Sequence, residues 1–87
     1  MVTRRYLIGL EHVKGSNYGA HVPDLLGCVA TGRTREECMR NIREAIEFHL
    51  DGMLRRGLEI PPPSTTPADE EGDTEYVEVE VDSEVAA

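Results

Sequence analysis

An α+β fold, a meander of three antiparallel strands followed by one long helix and a last strand, is what this sequence predicts. Three observations carry that expectation. Residues 5–31 contain short runs of strand formers broken by Gly, Pro and Asn; residues 34–57 carry a capped helical stripe; residues 74–82 alternate again with period two. At 87 residues the chain has room for one small core and one domain, 1–87.

The first run, Arg5 to Val13, puts Tyr6, Ile8 and Leu10 on one face. Lys14-Gly15-Ser16-Asn17 is a turn by composition. Tyr18, Ala20 and Val22 then share a face until Pro23, which fixes φ and offers no N–H, stops the strand. In the turn that follows, Asp24 can accept from backbone amides just ahead, and Gly27 can take the positive φ that closes it. Cys28 to Thr31 is the third strand, ended by Gly32.

Thr34-Arg35-Glu36-Glu37 has capping-box spacing, with the Thr34 hydroxyl accepting from the Glu37 amide. Cys38, Ile42, Ala45, Ile46, His49, Leu50, Met53 and Leu54 recur every three or four residues and form one apolar stripe. Gly57 stops the helix after about 22 residues, or about 33 Å, and Pro61-Pro62-Pro63 cannot extend it. Gly52 is a weak point inside it, costing up to about 1 kcal/mol relative to Ala. Residues 61–73 read as a semi-extended, mobile, acidic linker holding four of the five prolines. In the last strand Val77, Val79 and Val81 face one way, and Tyr76, Glu78, Glu80 and Asp82 the other. A strand returning after a helix tends to lie parallel in a right-handed crossover. The helix covers one sheet face, so a second copy of the chain is expected on the other, in a homo-oligomer.

Composition limits the function classes. No run of about 18 apolar residues and no signal-peptide pattern occurs, so a cytoplasmic protein without a membrane role is expected. Cys28 and Cys38 are too few for a disulfide scaffold and read as free, small hydrophobes. Residues 1–56 carry nine basic residues against seven acids, whereas residues 57–87 carry ten acids and no Lys or Arg. Such an acidic third repels phosphates and suits a basic partner, although acidic ends also serve merely to solubilise.

Catalytic patterns are missing. His12, His21 and His49 have no metal-ligand spacing with either cysteine, so no metal or cofactor is expected. The three serines lack a nucleophile context, and the C-terminal carboxylates lack the buried setting that shifts a pKa. Two adjacent leucines in the Asp24-Leu25-Leu26 turn either cap the core or form a contact surface.

Order and spacing now point to a family. A tyrosine-led first strand is followed by Tyr18-x-Ala20-x-Val22-Pro23-Asp24-Leu25-x-Gly27-Cys28, and then by Gly32-x-Thr34-x-Glu36-Glu37-Cys38. Next come Asn41-Ile42-x-Glu44-Ala45-Ile46-x-x-His49-Leu50 and Gly57-x-x-Ile60-Pro61-x-Pro63. The pattern, from residue 5 to about 63, closely resembles the HicB antitoxin family. That resemblance implies a partial ribonuclease-H-like fold with the fourth strand beside the first. It further implies a type II antitoxin that binds HicA, a small basic toxin cleaving mRNA with a histidine. Five residues after Asp82 are too few for the family's C-terminal DNA-binding segment, so direct nucleic-acid binding is not expected. Ribonuclease chemistry is not expected either, because two-metal hydrolysis needs clustered carboxylates and the first three strands offer only Glu11.

The leading expectation is therefore a partner-binding antitoxin, with Glu78, Glu80 and Asp82 and the Asp24-Leu25-Leu26 turn as contact residues. The competing reading of the strand acids is protection of an edge strand. The alternative function is a solitary homo-oligomer without a toxin, sensing a small ligand.

Overall fold

The computed structural model describes residues 2–12, 15 and 17–81. Its elements are β1 (Val2–His12), β2 (Tyr18–His21), β3 (Val29–Gly32), α1 (Arg35–Arg55), a 3₁₀ turn (Pro67–Asp69) and β4 (Asp73–Val81). The four strands form one sheet in the order β3-β2-β1-β4, antiparallel at every neighbour, which is the expected α+β fold. One face packs on α1. Tyr6, Ile8 and Leu10 from β1 and Val77, Val79 and Val81 from β4 meet Ile42, Ile46 and Leu50 of the helix there. Both cysteines are free and buried, and burial pushes their thiols above the usual range.

Both ends of α1 follow from local chemistry. The Glu37 amide donates to Thr34 Oγ1 at 3.1 Å, while the Glu37 carboxylate reaches back to the Arg33 amide at 3.5 Å, one residue short of the expected partner. At the other end Leu58 N donates to Met53 O and Gly57 N to Leu54 O, with Gly57 at φ 72°. That is the Schellman arrangement, which needs a residue free to adopt left-handed backbone.

The sheet differs from expectation in three respects. β4 lies beside β1 but runs antiparallel to it, so it is no parallel crossover strand. The reason lies in the connection. After the helix, residues 56–72 travel back along the sheet before entering β4, and so deliver the chain to the end of β1 near Leu10.

That connection, expected to be mobile, is tied to the meander along its length. Tyr6 donates its hydroxyl to Pro61 O at 2.7 Å, Asp24 grips Ser64 and Thr65, and Glu70 meets His21 at 2.7 Å. At the 3₁₀ turn Thr66 N and Thr66 Oγ1 both donate to Asp69 Oδ2, and these bonds hold the Asp69 carboxyl below the usual carboxylate range.

Nor is the face away from α1 left bare. A Cβ built on Gly9 would stand 2.9 Å from Glu70 Oε1 and 2.7 Å from His21 Nε2, so the connection crosses over β1 where that strand has no side chain. Leu7, beside it on that face, is only 1% exposed. The remaining positions there are mostly polar, with Arg5 stacked over Tyr76 at 4.3 Å. Among the described residues that face is thus filled at Gly9, closed at Leu7 and otherwise mostly polar, with Val29 exposed near its far edge.

Candidate partner-binding surface

The residues singled out from sequence fall into two separate patches. Asp24, Leu25 and Leu26 belong to the β2–β3 loop, whereas Glu78 and Glu80 stand on β4, with β1 and β2 in between. Asp82 lies outside the described residues.

In the loop patch the two leucines part company. Leu25 is 1% exposed and packs in the core, the core-capping role that was one of the two open to it. Its amide donates to Val22 O, a tight turn that points the side chain inward. Leu26, one residue on, is 91% exposed and remains a candidate.

Asp24 is not bonded to amides just ahead. It accepts from Ser64 N (3.0 Å), Ser64 Oγ (3.1 Å), Thr65 Oγ1 (2.7 Å) and Thr65 N (3.2 Å). Desolvation alone would raise its pKa, but the hydrogen bonds from Thr65 and Ser64 outweigh that and hold the carboxyl below its ordinary value. A carboxylate so engaged anchors the connection and has few lone pairs left for a partner.

The strand patch divides by face. Asp73 and Glu75 are on the helix side, where the Arg35 guanidinium reaches both, at 3.3 and 2.9 Å. Desolvation opposes the charge on Arg35, but Glu75 and Asp73 outweigh it and raise its pKa. This fork fixes the start of β4 to the first turn of α1.

Glu78 and Glu80 face the other way and are exposed. Among the described residues neither has an ion-pair partner. Arg5, directly across from Glu78 in the ladder, is turned to Tyr76 instead. Two carboxylates on one face of an edge strand, two residues apart and without an ion-pair partner among the described residues, make a negative rim.

Two further features were missed by the sequence reasoning. Phe48 is 83% exposed on α1, and the clue to it was an aromatic residue lying off the apolar stripe. Arg40 and Arg43 line a cleft of about 420 Å³ between α1 and β4, opposite Tyr76 and Val77. Their placement depends on which helix flank meets β4, which periodicity does not reveal. No cluster of three or more His, Cys, Asp or Glu among the described residues could hold a metal, and no described helix is long and apolar enough to cross a membrane.

Comparison with known proteins gives this geometry a family. A 56-residue stretch is 45% identical to an uncharacterized 14.9 kDa protein of Haemophilus phage HP1, covering 64% of this chain and 41% of that protein. The chain thus spans under half the length of this relative. The crystal structure of the Burkholderia pseudomallei antitoxin HicB superposes with a TM-score of 0.70 at 26% identity, over 100% of this chain and 68% of that one. A chain of a HicA3 and HicB3 toxin-antitoxin complex shares the fold, with a TM-score of 0.58 at 24% identity over 93% of this chain and 99% of that one. The family described as HicB-like antitoxin of bacterial toxin-antitoxin system matches residues 6–84. With its capped helix, meander and returning acidic strand, the chain belongs to the HicB-like antitoxin family.

Proposed function

We propose that this protein is an antitoxin that binds and neutralises a small, basic toxin of the HicA type in the cytoplasm. Family membership supports the antitoxin role. The observation that carries the choice of surface is the pair of unpaired glutamates, Glu78 and Glu80, on the exposed face of the β4 edge strand. Opposite charge orients and accelerates docking, and repulsion turns away acidic competitors. Leu26 and Phe48 add exposed apolar side chains, and aromatic residues such as Phe48 are enriched at interfaces.

Co-expression tests it. Cells producing the toxin encoded beside this gene stop growing, and the wild-type chain restores growth. Glu78→Lys combined with Glu80→Lys keeps the fold, because solvent-facing substitutions change stability by only about 0.5 kcal/mol, but restores growth poorly. Absence of rescue by the wild type would remove the antitoxin role. Full rescue by the folded double variant would remove these two residues from the interface.

A further inference from the structure

Among the described residues β4 is paired on one side only. It is a sheet edge of nine residues, compared with four in β3 at the opposite edge. Its register with β1 runs unbroken from Val2↔Val81 to Leu10↔Asp73, without a bulge, and β4 contains no proline. Bulges and prolines are the usual devices that stop an edge from acquiring another strand. The outer N–H and C=O groups of β4 are therefore set out as a template, with acidic side chains as the remaining guard.

Beside that edge runs a groove. The cleft of about 420 Å³ is walled by Glu36, Met39, Arg40 and Arg43 on α1 and by Glu75, Tyr76 and Val77 on β4. A second cleft of about 340 Å³ shares Arg43, adds Glu47 from α1 and continues along Glu78, Val79 and Glu80. Six consecutive β4 residues thus line it, a length of about 20 Å that matches an ordinary strand.

We propose that this edge takes up one extended segment of the basic partner as a fifth strand. The inference rests on the antitoxin reading and adds to it the mode of contact. A strand's side chains alternate, so the groove specifies a pattern. Lys or Arg belongs on the side facing Glu78 and Glu80. The helix side is mixed, Arg40 and Arg43 standing among Glu36 and Glu47 beside Met39, so apolar residues belong there. Main-chain hydrogen bonds supply affinity while the alternate positions supply selectivity.

A second copy of this chain is the wrong occupant. Antiparallel self-pairing centred on the acidic stretch would set Glu78 and Glu80 against their own counterparts, and like charges directly opposite destabilise a ladder. The same acids that guard against self-association thus admit a basic strand.

Amide hydrogen exchange decides the matter. It is measured on the ¹⁵N-labelled full chain, alone and saturated with an inactivated form of the neighbouring toxin. In the free chain the amides of β4 alternate between slow (bonded to β1) and fast (facing out). In the complex the fast set between Glu75 and Glu80 slows by at least about tenfold, while β3 is unchanged. A complex that forms and leaves those amides fast overturns the fifth-strand contact and spares the antitoxin reading. Failure of any complex to form overturns that reading and the contact mode with it.

Discussion

At the scale of single residues, Asp24 does the most to shape the molecule. Its carboxylate draws Ser64 and Thr65, forty and forty-one positions downstream, onto the β2–β3 loop. Because its pKa is lowered in the folded state, the stabilisation is present above the ordinary carboxylate pKa of about 4 and is lost as pH falls through the lowered value. Asp24→Asn replaces acceptor lone pairs with an amide that faces donors. It should cost about 1–2 kcal/mol near neutral pH, a drop of roughly 5–10 °C in Tm for a chain of this size. The gap between wild type and variant should close as melting is repeated from pH 6 down to pH 3. A gap that persists at low pH would mean the charge of Asp24 is not what holds the connection. Sequence could mark Asp24 as a turn residue but not reveal its real partners, since nothing local announces a hydrogen bond spanning forty residues. Leu25 and Leu26 teach the same lesson: adjacent and chemically identical, they are sorted inward and outward by a turn geometry that composition does not specify.

Among the elements, the helix and the final strand were the most legible, because each repeats its period long enough to be unambiguous. The Thr34 cap, the apolar stripe and the Gly57 stop all stand where the residues place them. Less legible was how elements meet. At the end of β3, a Cβ on Gly32 would lie 2.8 Å from Cys38 Cα, against rigid helix backbone. At Gly52, in the helix, a Cβ would meet nothing within 4 Å. Opposite outcomes follow for one chemical change. Gly32→Ala should destabilise by about 1–3 kcal/mol through overpacking, and Gly52→Ala should stabilise by up to about 1 kcal/mol through helix propensity. Urea midpoints at unchanged m-value measure both. Equal effects at the two positions would show that the close approach of α1 to β3 is wrong.

For the whole molecule, the order of elements was readable but the direction of β4 was not. Direction is set by the route of residues 56–72, and that route depends on the tethers at Tyr6, Asp24 and His21 rather than on any periodic signal. Charge segregation was legible from the start, and the fold divides it further. Asp24 and Asp69 hold the connection, Asp73 and Glu75 bind Arg35, and Glu78 and Glu80 have no ion-pair partner among the described residues. These two form an acidic edge, while other exposed acids such as Glu11, Glu44 and Glu59 are scattered over the rest of the surface. Calorimetric titration of the purified full chain with the inactivated neighbouring toxin tests this account most directly, with salt varied so that the screening length falls from about 10 Å at 0.1 M to about 3 Å at 1 M. Binding tighter than about 1 μM at low salt, weakening by at least about tenfold at high salt, is the predicted result. No binding at low salt, or an affinity indifferent to salt, would contradict it.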